Sequence, residues 1–320
     1  MQRRSFIQKS VLGLFGFPGL FSGGMRLQNR DLRRKPLPRR VLGRTRERIS
    51  VIGLGGIVLM NETVSAARKI VGDAIEQGVN YFDVAPSYGD AEAILGSLLK
   101  PYRKQVFLAC KTKERHRRGA EEELHSSLKR LQTDYIDLYQ FHGFTEVRDV
   151  NRALRRGGAL DAFLKAREEG KIRYIGFSAH SSKAALKAMD SFDFDAILFP
   201  VNYVCCLNGF GPAVMRKALE KKVGILGIKA LARQPWLSEE FKKDWPKCWY
   251  QPISNPVEAY LALRFSMTQP VTAVIPPGDQ RLFRRAMEMA HSFTPLTYAE
   301  DRRLQFLAEG LTPLFPADRA

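Results

Sequence analysis

Short runs of β-branched and aromatic residues alternate with longer stretches of helical periodicity from Ile49 onward. This alternation is typical of a parallel sheet built from βα units. The pattern predicts strands at 51–54, 79–83, 106–111, 135–141, 172–177, 196–200, 223–228 and 271–275. It predicts helices near 63–77, 90–100, 119–131, 158–169, 181–189, 211–221, 254–267 and 280–290. Eight βα units are the number in a (β/α)8 TIM barrel, so we predict an α/β protein with this barrel over 41–312.

Three further segments frame the predicted barrel. The sequence "RVLGRTRERIS" before the first strand predicts an N-terminal β-hairpin that plugs the bottom of the barrel. A last helix is predicted near 298–309, followed by a tail at 313–320. The longest connection follows strand 7, from Ala232 to about Ile253, and holds all three tryptophans. Because long loops in compact domains are usually functional, we predict a lid or wall over the active-site mouth. The alternative, that the tryptophans only pack the loop on the barrel rim, stays open.

The first residues read "QRRSFIQKS" and then "VLGLFGFPGLFSGG". Two consecutive arginines before a moderately apolar run resemble a twin-arginine (Tat) export signal, assigned to 1–25 and followed by a basic linker at 26–40. The run from Val11 to Phe21 is short and glycine-rich for a membrane span. We therefore expect export by the Tat machinery to a periplasmic or membrane-associated location, with a cytoplasmic location if this segment is only a disordered basic terminus. Whether the leader is cleaved stays open.

The formal net charge of +18 is distributed unevenly. Residues 1–48 carry 13 basic and 2 acidic side chains, so the predicted barrel is only moderately basic. Without a recognised motif or aromatic stacking platform, this charge does not predict a nucleic-acid partner. The four cysteines show no C-x-x-C spacing, and the histidines form no H-x-H or H-E-x-x-H motif, so no metal site is predicted.

Ionisable residues stand at the ends of three consecutive predicted strands. Asp83 closes the second strand, Lys111 closes the third, and His142 follows the fourth, while Tyr88 lies in the loop "APSYGD" after Asp83. In a (β/α)8 barrel, residues at the carboxyl ends of the strands face one cavity. These four residues are therefore the predicted catalytic group.

Their chemistry fits reduction of a carbonyl. A hydride-accepting carbonyl needs a proton donor, and a free tyrosine, with a pKa of about 10, donates reluctantly near neutrality. We expect the ammonium of Lys111 to lower the pKa of Tyr88, the general acid, and Asp83 to keep Lys111 charged. His142 would orient the substrate oxygen. No side chain supplies a hydride, so a reduced nicotinamide is required.

The segments "VLGRTRERISVIGLGG", "FDVAPSYGDAEAILG", "ACKT" and "YQFHG" resemble the N-terminal, Asp/Tyr, Lys and His motifs of the aldo-keto reductase family, in that order. Looser similarity continues through "IRYIGFSAH" and "TAVIPPGDQ". The resemblance implies NADP(H), with NAD(H) as the other possibility, and reversible reduction of aldehydes or ketones to alcohols. The alternative is a catalytically weak barrel that binds or senses nucleotides.

The resemblance also implies a set of cofactor-binding residues, some of them in altered form. The Ser-Asn pair of the family is Ser178 followed by Ala179 here, the sixth strand offers Asn202 instead of Gln, and the seventh ends in Lys229 where an aromatic ring is usual. Either Asn202 or His180 would replace the missing amide contacts. The predicted cofactor-binding residues are Gly55, Ser178, Asn202, Lys229, Pro276, Gly278, Arg281 and Arg284.

The substrate itself is not specified by these motifs. Aromatic residues in the loops after strands four and seven predict a bulky or aromatic-lined pocket; they are Phe144, Trp236, Trp245, Trp249 and Tyr250.

Overall fold

Eight parallel strands, hydrogen-bonded to one another in chain order, form the barrel that the sequence predicts. The computed structural model describes residues 36–317, so the predicted leader at 1–25 and residues 26–35 of the linker lie outside the described residues. The strands of the described residues are β1 (Arg39–Val41), β2 (Arg48–Ser50), β3 (Leu54–Gly55), β4 (Tyr81–Asp83), β5 (Phe107–Thr112), β6 (Ile136–Phe144), β7 (Ile172–Ala179), β8 (Ala196–Pro200), β9 (Gly224–Ile228), β10 (Ala232–Gln234), β11 (Gln251–Pro252) and β12 (Ala273–Ile275).

The barrel consists of β3 to β9 together with β12, and its two ends meet between the first and last of these strands. Ile52 forms a parallel bridge with Val274. Val274 donates to the carbonyl of Val51 at 2.9 Å and accepts from the amide of Gly53 at 3.0 Å. Closure of the sheet therefore uses residues just before β3, and β3 itself is shorter than the strand predicted at 51–54.

The predicted hairpin is formed by β1 and β2, which pair antiparallel with Arg40 opposite Ile49. Leu42 and Ile49 are fully buried and belong to the apolar cluster inside the barrel. The amide of Arg44 donates to the carbonyl of Lys222, just before β9 begins, at 3.0 Å. The hairpin thus closes the amino-terminal end of the barrel, as predicted.

Helices cover the outside of the barrel. Those of the described residues are α1 (Val64–Glu76), α2 (Ala91–Leu99), α3 (Arg117–Leu131), α4 (Val147–Leu154), α5 (Ala159–Glu168), α6 (Ser182–Ser191), α7 (Tyr203–Leu207), α8 (Pro212–Glu220), α9 (Glu239–Lys242), α10 (Pro256–Thr268), α11 (Gln280–His291) and α12 (Tyr298–Glu309), with 3-10 turns at Gly43–Thr45, Gly56–Val58 and Lys100–Gln105. The nine predicted helices are confirmed, whereas α4, α7 and α9 were not predicted. Within residues 36–317, no helix is long and apolar enough to cross a membrane.

Local sequence explains several of the helix starts. Asn255 accepts hydrogen bonds from the amides of Val257 and Glu258, with Pro256 at the first helical position of α10. Thr297 and Glu300 form a capping box at the start of α12. These caps satisfy amide groups that the helices themselves leave without partners.

The connection after β9 contains a small antiparallel ribbon, β10 with β11, and the short helix α9. We call residues 232–253 the lid loop. Trp236 donates from Nε1 to the carbonyl of Cys248 at 2.9 Å, and Trp245 lies 4.1 Å below the guanidinium of Arg281. Trp249 remains 55% exposed and borders the cavity at the barrel mouth. Two tryptophans therefore pack the loop, and the third forms part of the predicted wall.

Candidate active site

A cavity of about 210 Å³ lies at the carboxyl-terminal end of the barrel strands. Asp83, Tyr88, Lys111 and His142 all line it. Parallel pairing brings the strand ends together, with Asp83 of β4 beside Ala109 of β5 and Lys111 beside Gln140 of β6. The structure therefore unites the four residues predicted from the strand ends.

Asp83 and Lys111 form an ion pair at the base of this cavity, with side chains that are 3% and 0% exposed. The ammonium of Lys111 also donates to the carbonyl of Val84 at 3.2 Å. The second carboxylate oxygen of Asp83 accepts from the hydroxyl of Tyr81 at 3.1 Å and from Nε2 of Gln140 at 3.0 Å. These contacts hold the buried pair in one geometry, because each charge keeps several hydrogen-bonding partners.

Tyr88 reaches the pair from the loop after β4. Its ring centroid lies 5.1 Å from Nζ of Lys111, and its edge meets the ring of His142 at a centroid distance of 6.0 Å and an angle of 88°. The phenol thus stands between a fixed cation and an imidazole at the cavity surface.

The pKa values of Tyr88 and Lys111 correct one expectation drawn from the sequence. We expected Lys111 to bring the pKa of Tyr88 below its ordinary value. Burial raises the pKa of Tyr88 by more than Lys111 lowers it, and Asp83 adds to the increase. Burial also opposes the charge of Lys111, but the Asp83 carboxylate outweighs it and the pKa of Lys111 is raised. In the structure without ligands, the phenol is protonated and the lysine is charged at neutral pH.

His142 is neutral under the same conditions. Burial lowers its pKa to about 2, and the nearby charges of Lys111, Lys113 and Arg115 contribute to that shift. Its backbone is fixed from both sides, since Arg115 donates to its carbonyl at 2.8 Å and the amide of Gly143 donates to the hydroxyl of Ser178 at 2.7 Å. A neutral imidazole can donate a hydrogen bond to a substrate oxygen without carrying a charge.

Five of the predicted cofactor-binding residues line the same cavity; they are Gly55, Ser178, Lys229, Pro276 and Gly278. A Cβ atom at position 55 would lie 2.8 Å from Cγ2 of Ile275, and one at position 278 would lie 2.8 Å from Cγ2 of Ile57. A side chain at either position would collide with an isoleucine, so glycine leaves the backbone exposed to the cavity there.

The other three predicted cofactor-binding residues lie outside the cavity. Asn202 is buried; its side-chain amide donates to the carbonyls of Lys229 and Ala232, so it supports the backbone at Lys229. Arg281 is bound to Asp279 and stacks on Trp245, and Arg284 lies on the outer surface of α11. Their predicted roles toward a cofactor stay predictions.

Several residues at the cavity escaped sequence analysis or received a minor role there. Lys247 of the lid loop lines the cavity. The ring of Phe315, from the segment predicted as a tail, stacks on His180 at 5.2 Å. Two of the five aromatic residues predicted to line the pocket, Trp249 and Tyr250 of the lid loop, do line the cavity. The other three do not line it; they are Phe144, Trp236 and Trp245.

Lys229 places a cation on the side of the cavity that follows β9. Its ammonium lies 4.9 Å from the ring of Trp249 and 4.8 Å from that of Tyr250, and burial lowers its pKa to about 8. A negative ligand beside Lys229 would stabilise its charged form. In the described part of the chain, no three His, Cys, Asp or Glu side chains are grouped to hold a metal ion.

The fold and the cavity together define a (β/α)8 barrel with a polar site at the carboxyl ends of its strands, and sequence comparison specifies the family. A profile of the Aldo/keto reductase family matches residues 51–309, so the chain belongs to that family. The oxidoreductase YqkF of Bacillus subtilis, itself uncharacterised, is 37% identical over 155 residues, which cover 44% of this chain and 48% of that protein. The aldo-keto reductase YhdN of the same bacterium is 33% identical over 153 residues, 43% of each chain. The chain thus aligns with about half the length of these curated relatives.

A solved structure supports the fold. The holo form of the aldo-keto reductase AKR11C1 from Bacillus halodurans superposes with a TM-score of 0.67, covering 87% of this chain and 98% of that chain at 24% identity. At that level of identity the match shows the barrel fold alone.

Proposed function

We propose that this protein reduces an aldehyde or ketone to an alcohol, reversibly, with NADP(H) or NAD(H) as the hydride carrier and Tyr88 as the general acid. The observation that carries the proposal is the grouping of Tyr88, the Asp83–Lys111 ion pair and His142 in one cavity at the barrel mouth. The same groups serve both directions, because the acid of reduction is the base of oxidation.

The cavity fits the reactive end of a nicotinamide dinucleotide. Nε2 of His180 is buried without a hydrogen-bond partner in the described structure, and His180 lines the cavity. The hydroxyl of Ser178 accepts from Gly143 and keeps its own proton for donation. These two groups would hold the carboxamide of the ring, while Gly55 and Gly278 leave room beside it. When bound, the reduced ring supplies the hydride.

Each residue of the catalytic group has a separate task in this proposal. Tyr88 transfers its phenolic proton to the carbonyl oxygen as that oxygen gains negative charge. Lys111 stabilises the phenolate that remains, and Asp83 holds Lys111 in place. His142 donates a hydrogen bond to the same oxygen and orients it toward Tyr88. The raised pKa of Tyr88 favours its protonated form before the reaction, as a general acid requires.

The test compares Tyr88→Phe with the wild type. We expect turnover of a panel of aldehydes and ketones to fall by about 10²-fold or more, because general acid catalysis is lost. Binding of NADPH and NADH, followed by the fluorescence of the bound reduced ring, should be unchanged. Turnover equal to that of the wild type would exclude Tyr88 as the acid. Cofactor binding without turnover in the wild type would favour the nucleotide-binding alternative.

We also propose that the arginine-containing leader directs export by the Tat pathway, on the basis of Arg3, Arg4 and the apolar run after them. The test is fractionation of bacterial cells that express the full chain and an Arg3→Lys/Arg4→Lys variant. Export of the wild type alone supports the proposal, and equal distribution of the two contradicts it.

A further inference from the structure

A second recess, of about 520 Å³, opens beside the cavity on the side of β5, β6 and β7. It is lined by Lys113, Arg115, His142, Gly143, Asp149, Arg152 and His180. We call it the basic recess. His142 and His180 line both spaces, so the recess adjoins the site of Tyr88 and Lys111.

The balance of charge in the basic recess is positive. Arg115 is paired with Asp149, with N–O distances of 2.9 Å, and its side chain is only 10% exposed. That pair is neutral as a unit. The side chains of Lys113 and Arg152 are exposed, and neither forms an ion pair or hydrogen bond within the described residues. Two cations without carboxylate partners therefore face a recess whose only carboxylate is already occupied.

Lys113 lies within electrostatic reach of His142 in the reaction centre. The pKa of His142 is lowered first by burial and then by the charges of Lys111, Lys113 and Arg115. Burial also lowers the pKa of His180 to about 4. Both imidazoles are neutral near pH 7 and add hydrogen-bonding capacity, but no charge, between the cavity and the recess.

The basic recess adjoins the cavity at His142 and His180, away from Gly55, Lys229 and Gly278. Gly55 ends β3, whereas Lys229 and Gly278 follow β9 and β12, and these three strands are neighbours at the closure of the barrel. The recess follows β5, β6 and β7, near the middle of the strand order, and borders the proposed carboxamide contact at His180. A molecule with its carbonyl oxygen at Tyr88 and His142 would reach the recess past these two imidazoles.

We propose that the basic recess binds an anionic group, a carboxylate or phosphate, carried by the carbonyl substrate. This inference rests on the proposed reductase function and specifies its substrate class. Lys113 and Arg152 would contact the anion, and Arg115 would position the rim through its bonds to Asp149 and to the carbonyl of His142. Negatively charged oxo acids and oxo phosphates are the preferred substrates on this basis.

The experiment uses matched pairs of aldehydes with the full chain: 4-carboxybenzaldehyde against 4-methylbenzaldehyde, and succinic semialdehyde against pentanal. For the wild type we expect kcat/KM to favour the carboxylate of each pair, and the ratio to fall as salt is added. The variant Lys113→Gln/Arg152→Gln should lower that ratio about tenfold, since hydrogen bonds between charged groups contribute at least that factor. The neutral aldehydes should be turned over as before.

The control is Lys104→Gln, an exposed lysine just before the amino end of β5, the strand whose carboxyl end leads to Lys113. It removes one positive charge, as Lys113→Gln does, but at the opposite end of the barrel, and should leave the ratio unchanged. The charge-reversing variant Lys113→Glu should lower the ratio further than Lys113→Gln does. Circular dichroism verifies that each variant is folded, which is expected because Lys113 and Arg152 are exposed. The kcat/KM ratio of the wild type tests the proposal without any variant.

The outcomes separate the two proposals. If no carbonyl compound is reduced, the proposed function fails. If neutral and carboxylated aldehydes are reduced equally well by the wild type, the reductase function stands and the basic recess does not bind an anion. If Lys113→Gln/Arg152→Gln weakens NADPH binding and leaves the aldehyde ratio unchanged, the recess binds a phosphate of the cofactor, and the substrate assignment is wrong.

Discussion

Nζ of Lys247 donates a 2.6 Å hydrogen bond to Oε1 of Glu62 and a 2.9 Å bond to the carbonyl of Val58. These contacts join the lid loop to the segment between β3 and α1, which also borders the cavity through Ile57. The two side chains are 18% and 24% exposed, so solvent screens this pair less than an ion pair at the outer surface. The lid loop is therefore anchored to a second segment at the cavity mouth.

We expect Lys247→Met to loosen the lid loop. The lost contacts are worth about 1 kcal/mol, so amide hydrogen exchange in residues 236–250 should become several-fold faster. The control is Lys242→Met, whose ion pair with Glu239 lies within the loop and does not cross the cavity. Equal exchange in Lys247→Met and the wild type would show that the loop is held by its tryptophans alone.

The neutral state of His142 predicts a loss of stability in acid. Its pKa falls from 6.5 to about 2 on folding, so between these values the unfolded chain binds more protons than the folded one. Stability is then fully present above pH 6.5 and decreases as the pH falls, by roughly 1 kcal/mol per pH unit for this residue. Denaturant unfolding of His142→Gln between pH 7 and pH 5 should therefore show a shallower decline than that of the wild type. His125→Gln, at an exposed position of α3, should retain the wild-type slope.

Breaking the buried ion pair should destabilise the barrel strongly. Lys111→Met leaves the Asp83 carboxylate buried without its cation, which costs about 3–5 kcal/mol. The double variant Asp83→Asn/Lys111→Met removes both charges and should recover part of that loss. Urea unfolding gives the free energy of unfolding of the wild type and of both variants. A double variant as unstable as Lys111→Met would mean that packing of the lysine stem, and not its charge, stabilises this region.

Arg284 and Arg281 should differ in their effects on cofactor preference. Arg281 is held by Asp279 and by the carbonyl of Asp244, whereas Arg284 has an exposed side chain and lies 3.9 Å from Asp73. Arg284 is therefore the more available group for the 2′-phosphate that distinguishes NADPH from NADH. We expect Arg284→Ala to weaken NADPH binding about tenfold and to leave NADH binding unchanged, as measured by fluorescence titration. Equal weakening of NADPH and NADH binding, or no weakening of either, would contradict this role of Arg284.

Much of the fold could be predicted because local patterns repeat eight times in this chain. Each barrel strand is a short apolar run, and the helices between the strands show helical periodicity, some of them with a capping residue at the start. Helix α4 was missed although Val147, Val150 and Leu154 recur at helical spacing, because its eight residues are fewer than the window over which a helical period can be recognised.

The grouping of the predicted catalytic residues could be foreseen for a geometric reason. Strand ends in a parallel barrel converge, so Asp83, Lys111 and His142 had to meet wherever the strands were placed correctly. The positions of Lys247, Phe315 and Arg152 beside the site depend on a loop, the C-terminal segment and a helix surface, whose neighbours are far away in sequence. Those positions follow from tertiary packing, which the order of residue types does not encode locally.

The hairpin of β1 and β2 blocks the amino-terminal end of the barrel. Leu42 and Ile49 fill the barrel axis there, so both reactants of the proposed reaction reach Tyr88 from the other end of the barrel, where the cavity lies. When two molecules bind in one cavity, the more deeply seated one has to arrive first and depart last. Steady-state kinetics should therefore show a compulsory order of addition, with product inhibition that is competitive for the first reactant only.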